Sequence, residues 1–346
     1  MMKFLIIRLG SLGDVILTTP AIKALKEKYP DAGVDFLVKK EYHDLLSANP
    51  HLNRIITFDS NRMHEGFNGL LKISRELRAG GYTHVIDLHG NLRSRVISLL
   101  IPGTKTLRYD KQALKRRMLL WGFEVKTRHT VDAYLGALTP LSVGAGFKPA
   151  PTIYLSEEEK NEADKFLDRN GISKGITLIG LAPGAKWPTK KWMEEGFIEV
   201  GRKAVKEFGA GVLIFGGPDE ADLSKRVAEG IGNKALSVAG VAGLKETAAL
   251  ISRCKAFVSN DSGPMHMATA VGTPVIAIFG PTVKGFGFFP LGRSTVVEKE
   301  LRCRPCSLHG SKTCPKGHFE CMKGITANEV FDKVEGVIQR RPGLVS

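Results

Sequence analysis

Short apolar runs recur along the chain, and each ends in a loop of glycine and polar residues. Residues 3–9 (KFLIIRL) form the first, followed by the glycine turn GSLGD and a helix-like segment over about 14–28. Further strand-like runs lie at 33–40 (GVDFLVKK), 53–59 (NRIITFD) and 83–90 (THVIDLHG), with a helix near 66–80. The pattern restarts at 175–192 (GITLIGLAPGAKWPTKKW), where an apolar strand again meets a glycine loop. A helix near 190–208, strands at 211–217 and 234–240, and helices near 219–230 and 244–253 follow. The strands 256–266 (AFVSNDSGPMH) and 274–280 (PVIAIFG) come next. Strands alternating with helices of this length predict α/β architecture with parallel, doubly wound sheets. The Gly- and Pro-containing stretch at 143–175 separates two such halves, so the chain divides into domains 1–160 and 161–346. We expect two Rossmann-like domains facing across a cleft, with ligands outside the carboxyl ends of the strands. The last helix, about 326–340, is expected to pack back on the first domain.

Composition adds limits. With 346 residues, 43% hydrophobic and 25% charged, the chain is of ordinary globular make-up and long enough for two cores. No run approaches the ~18 apolar residues of a membrane span. The N-terminus lacks a secretory signal pattern, so a cytoplasmic location is expected. The net charge is +15, and residues 1–150 hold 23 Lys and Arg against 13 Asp and Glu, a net +10. The densest stretch, 105–128, carries Lys105, Arg108, Lys111, Lys115, Arg116, Arg117, Lys126 and Arg128 against Asp110 and Glu124. Such a surface attracts phosphates or an anionic membrane. It matches no nucleic-acid-binding module, and no nucleic-acid partner is expected.

Several stretches can carry chemistry. In 259–274 (SNDSGPMHMATAVGTP), Asp261 and Ser262 suit an N-cap and Gly263-Pro264 starts a helix. The free N–H groups of that first turn form an anion site, with Met265 and His266 just inside; a capped helix without a ligand is the plain alternative. In 183–192, Lys186 follows a glycine loop and can neutralise a leaving diphosphate, whereas Lys190 and Lys191 fall towards the next helix and solvent. In 215–222 (FGGPDEAD), Glu220 can accept hydrogen bonds from a ribose diol or simply favour the helix dipole. The first turn lacks the dinucleotide fingerprint, and the chain has no Asp-x-Asp triplet to hold a nucleotide through a metal. Asp14 stands at the first glycine turn, next to Gly13, either as a general base or as a helix cap. Cys303, Cys306, Cys314 and Cys321 are spaced C-x2-C-x7-C-x6-C. They suit a structural zinc ion or remain thiols, with His309 and His318 as substitute ligands.

These stretches together resemble glycosyltransferase family 9, the lipopolysaccharide heptosyltransferases. The resemblance rests on IIRLGSLGDVILTTPAIKALKEKYP, DLHGNLRS (87–94), GAKWP, GGPDE and NDSGPMHMATAVGTPVIAIFGPT (260–282), in that order. It implies a GT-B fold, with an N-terminal acceptor domain and a C-terminal nucleotide-sugar domain. It further implies metal-independent, inverting transfer of L-glycero-D-manno-heptose from ADP-heptose to the lipopolysaccharide inner core, Kdo and heptose on lipid A, at the cytoplasmic face of the inner membrane. By position, Asp14 is the expected base. Lys186 is the expected diphosphate lysine, with Lys190 as alternative because this loop varies in length. Glu220 holds the ribose, and Asp261 to His266 surround the phosphates and heptose. Arg93, Arg95, Arg116 and Arg117 are the candidates for acceptor docking. A sugar-nucleotide epimerase and a non-catalytic nucleotide-sugar or nucleic-acid binder are the rival functions.

Overall fold

The structure, a computed structural model, describes residues 2–60, 62–144, 146, 150–241 and 243–339. Part of the expected interdomain stretch (145 and 147–149) and the expected end of the last helix at Arg340 lie outside the described residues. The chain divides into two units, Met1–Ala113 with Arg128–Tyr154, and Leu114–Thr127 with Leu155–Ser346.

The first unit holds a parallel sheet of β1 (Lys3–Ile7), β2 (Gly33–Lys39), β3 (Arg54–Phe58), β4 (His84–Asp87) and β5 (Lys105–Arg108), in the order β3-β2-β1-β4-β5. β1 is central, which explains its unbroken apolar run: a parallel strand covered on both faces has no solvent side to alternate towards. Leu5 and Ile7 pack with Leu37, Ile73, Leu77, Val85 and Ile97 in one core. The single helix expected over 14–28 is two, Leu12–Ile16 and Thr19–Lys28. Pro20, in the first turn of the second helix, has no N–H to continue the first. Thr18 and Thr19 cover the open end by donating hydroxyl bonds to Val15 O (2.6 Å) and Ile16 O (2.8 Å).

The second unit holds β6 (Leu178–Ala182), β7 (Gly211–Ile214), β8 (Ala235–Ser237), β9 (Ala256–Asn260), β10 (Val275–Phe279) and β11 (Ser294–Glu298), parallel and ordered β11-β10-β9-β6-β7-β8. The helix Ala327–Gln339 buries Val330, Phe331 and Val334 in this unit's core with Trp192, Phe197 and Ile276. Its apolar face is thus used by its own sheet. The segment 114–127 is likewise part of the second unit. Arg116 lies 4.7 Å from the centre of the Phe288 ring, and Thr127 donates its hydroxyl bond to Gly285 O.

Both sheets are doubly wound, α/β and of the GT-B kind. In each, the strand order reverses beside the first strand, between β1 and β4 and between β6 and β9. Loops leaving paired strands in opposite directions open a crevice at such a point. Asp14 stands beyond β1 at the first reversal, and Lys190 and Asp261 meet at the second.

Candidate functional site

At the β1/β4 reversal, Arg8 follows β1 directly and is only 6% exposed. Its Nη1 donates to Leu88 O, just beyond β4, at 2.8 Å, and its Nη2 lies 2.5 Å from Asp14 Oδ2. The same carboxylate oxygen accepts from Ser11 Oγ at 2.9 Å and from the Ser11 amide at 3.3 Å. Burial pushes the Asp14 carboxyl up, but the Arg8 charge and the Ser11 donors outweigh it, and the net lies below the ordinary carboxylate value. Asp14 is therefore a fixed anion, its side chain still 20% exposed. Gly13 is buried in the same short helix.

Across the reversal, Asp87 is fully buried and organises the DLHGN loop. Its Oδ1 accepts from the amides of His89 (3.0 Å) and Gly90 (2.8 Å), and its Oδ2 accepts from Ser94 Oγ (3.0 Å). Gly90 has φ +62°, a backbone state that a side chain would strain. His89 is pushed down to about 4, by burial first and by the Arg8 charge second, so its imidazole is neutral at physiological pH. Lys111 is lowered by burial and by Arg8. Arg93 and Arg95 are exposed on the helix Leu92–Leu99 that follows, Arg93 lying 5.7 Å from the Phe58 ring centre. Arg116 and Arg117 lie in residues 114–127, which belong to the second unit. The sequence reading missed Arg8. Its signal was a cation closing an otherwise apolar strand, directly before the glycine turn.

At the β6/β9 reversal, Asn260 ends β9 and is fully buried. Its amide nitrogen donates to Pro183 O (2.8 Å) and Gly184 O (3.3 Å), and its oxygen accepts from the Trp192 amide (3.0 Å). One side chain thus ties both ends of the 183–192 loop to β9. Lys190 Nζ lies 2.6 Å from Asp261 Oδ2, and the Thr282 hydroxyl donates to the same oxygen at 2.7 Å. Lys186 is exposed to solvent instead. Of the two lysines weighed from the sequence, the fold brings Lys190, not Lys186, to the NDSG turn. Asp261 is held by these two partners, and Ser262 is the N-cap residue of the helix Gly263–Ala270, without a side-chain capping bond. Pro264 lies in that first turn. Met265 and His266 are buried, so they line the turn from inside.

Glu220 stands after β7. It accepts from the Gly217 amide at 3.1 Å. A Cβ built on Gly184 would fall 2.0 Å from its carboxyl carbon, so only glycine leaves room for it. Burial pushes the Glu220 carboxyl up, against the pull of the Gly217 N–H. Lysine, helix N-terminus and carboxylate thus share one sheet edge, which suits a nucleotide: diphosphate at the amides and cation, sugar hydroxyls at the acid.

All four clustered cysteines are free thiols. Cys303 Sγ lies 3.8 Å from His318 Nε2, while His318 Nδ1 accepts from the Glu320 amide at 3.0 Å. Among the described residues no three His, Cys, Asp or Glu side chains are arranged to hold a metal ion, so the zinc expectation finds no preformed site. The loop does brace the residues around Lys190 and Asp261. Thr189 and Ser311 exchange backbone and hydroxyl bonds, with Ser311 N donating to Thr189 Oγ1 at 2.8 Å. Arg304 donates to Thr282 O at 3.0 Å.

Comparison with known proteins identifies relatives in sequence and in fold. Lipopolysaccharide heptosyltransferase 3 of Escherichia coli K12 is 29% identical over 279 residues, covering 78% of this chain and 80% of that protein. The crystal structure of a family 9 glycosyl transferase from Veillonella parvula superposes with a TM-score of 0.84 at 26% identity, covering 97% of each chain. The E. coli heptosyltransferase WaaC with ADP-2-deoxy-2-fluoro heptose shares the fold, with a TM-score of 0.66 at 20% identity, over 97% of this chain and 99% of that one. Residues 70–317 match the family model described as glycosyltransferase family 9 (heptosyltransferase). The chain belongs to glycosyltransferase family 9, the heptosyltransferases.

Proposed function

We propose that this enzyme transfers L-glycero-D-manno-heptose from ADP-heptose to the inner core of lipopolysaccharide, with inversion and without a metal. The observation that carries the reading is the anchored carboxylate of Asp14, held ionised by Arg8 and Ser11 at the end of β1. An inverting displacement needs a base on the attacking hydroxyl. The acceptor oxygen forms its bond to the anomeric carbon while its proton passes to Asp14. The bond from that carbon to the β-phosphate oxygen breaks, and the electron pair leaves with ADP. Lys190 and the first-turn amides of the helix Gly263–Ala270 take up the charge on the diphosphate. Glu220 accepts the ribose hydroxyls. Lysine and helix dipole together do the work that a metal performs in enzymes with paired aspartates.

A donor of this kind is supported by the ADP-sugar bound to the WaaC neighbour. For the acceptor, acidic sugars fit the basic groups of the first unit, Arg93, Arg95 and Lys111, of which Lys111 feels the charges of Arg95 and Asp14. Arg116 and Arg117 are left out of this set because they belong to the second unit. An acceptor built on lipid A places the reaction at an anionic membrane surface on the cytoplasmic side. No helix among the described residues is long and apolar enough to cross a membrane.

The test is ADP release from ADP-heptose, against UDP- and GDP-sugars, with and without a heptose-deficient core acceptor. Release that requires both ADP-heptose and acceptor is expected. Release without acceptor, or equal use of a UDP-sugar, overturns the reading.

A further inference from the structure

Nine large hydrophobic side chains are exposed among the described residues, and three of them fall within ten residues: Leu114 at 68%, Trp121 at 66% and Phe123 at 57%. Scattered exposed apolar residues are ordinary, but a cluster of this kind marks a contact surface. The same segment, 113–127, carries Lys115, Arg116, Arg117 and Lys126 against one acid, Glu124. Lys115, Arg117 and Lys126 are exposed with the aromatics. The segment is held at its base rather than loose. Arg116 lies on Phe288, Thr127 bonds Gly285 O, and Leu119 Cδ1 lies 3.2 Å from where a Cβ on Gly285 would stand. Its helix, Ala113–Leu120, has no fully buried residue.

We propose that residues 113–127 form the membrane-docking element of this enzyme and that its partner is an anionic lipid bilayer. Tryptophan and phenylalanine settle at the level of the headgroups, where an apolar ring and a wet edge are both satisfied, and lysine and arginine meet lipid phosphates around them. A protein partner fits less well, since lysine is depleted from protein interfaces. The inference rests on the reading that the acceptor is membrane-anchored and adds which part of the chain meets the membrane. The docking element is clamped to the Gly285 loop, which follows the Thr282 that supports Asp261. Lipid contact and donor site therefore belong to one unit of the fold.

The test uses the full chain with phosphatidylcholine vesicles and with vesicles containing phosphatidylglycerol. Binding to the anionic vesicles is expected, weakened by salt. The double variants Trp121→Ser with Phe123→Ser, and Lys115→Glu with Lys126→Glu, are each expected to lower vesicle partition roughly tenfold or more. ADP affinity measured by calorimetry stays unchanged in both, which separates lost docking from misfolding. Brominated lipid quenches tryptophan fluorescence in the parent protein, and Trp121→Phe removes that quenching while vesicle binding persists. The proposal is overturned by absence of binding to anionic vesicles. It is equally overturned by binding that neither double variant alters, or by displacement of the protein from vesicles by soluble inner-core oligosaccharide. Vesicle binding needs neither donor nor turnover, so a chain that docks without transferring heptose refutes the reaction and leaves the docking surface standing.

Discussion

Lys190 and Asp261 meet at 2.6 Å, joining the loop after β6 to the turn after β9. The pair is largely shielded, with 15% and 9% of the two side chains exposed. Lys190 is thereby parked at the mouth of a helix N-terminus, where a diphosphate would complete its coordination. Lys186, four residues earlier and beside the same glycine loop, points to solvent.

The two lysines therefore separate by substitution. Loss of a charge-assisted bond to phosphate costs about 1.5–3 kcal/mol. Lys190→Ala is expected to raise donor KM roughly ten- to hundredfold, and Lys186→Ala to leave it within about twofold. Steady-state kinetics with ADP-heptose checks this, and the opposite ranking returns the diphosphate role to Lys186.

For Asp14, substitution by Asn keeps the shape and removes the base. Transfer falls by at least ~10²-fold while ADP still binds. Arg8→Met leaves Asp14 in place but removes the charge that lowers its pKa. The group must be ionised to act, so activity is lost as pH falls through its folded pKa, and without Arg8 that loss begins at higher pH. An acid limb of kcat/KM that stays put in Arg8→Met removes Arg8 from the mechanism.

Gly184→Ala places a methyl where the Glu220 carboxylate lies. ADP affinity is expected to drop roughly tenfold with the fold retained. Because burial raises the Glu220 pKa, its ionised form is lost at a higher pH than for an exposed glutamate. ADP binding to the parent protein therefore weakens on acidification from that raised pKa downwards. Glu220→Gln binds more weakly at neutral pH and loses this dependence. Calorimetric titrations across pH decide it.

Asn260→Ala leaves Pro183 O, Gly184 O and the Trp192 amide without their buried partner. The expected cost is about 2–3 kcal/mol, a fall in melting temperature of about 5–10 °C. Scanning calorimetry measures it. A melting point within a degree of the parent's would mean that the 183–192 loop is held by other contacts.

The thiols differ in accessibility. Cys254 is buried and pushed up by that burial, and Cys321 is pushed up to about 11. Cys303 and Cys314 are half-buried. Labelling at pH 8, followed by mass spectrometry, is expected to modify Cys303 and Cys314 well before Cys321 and Cys254. Protection of all four clustered thiols by added zinc would establish the metal site that the thiols do not preform.

Much of the architecture was written in the local pattern. Apart from Lys3, β1, β6 and β10 are unbroken apolar runs because each is covered on both faces, and every run ends in a glycine or polar loop. That repeat alone specifies doubly wound parallel sheets, and Glu220, Asp14 and the NDSG turn stand out because they sit at strand ends. β5 and β11 left no such mark. They are edge strands, partly exposed, and their residues need not be apolar. What the linear order could not hold was which side chains meet. Spacing favoured Lys186 over Lys190, and only the placement of β6 against β9 brings Lys190 to Asp261. Arg8 became the partner of Asp14, and Arg116 a member of the second unit, for the same reason. A charge takes its role from the groups a few ångströms away through space, and those neighbours are fixed by strand order rather than by distance along the chain.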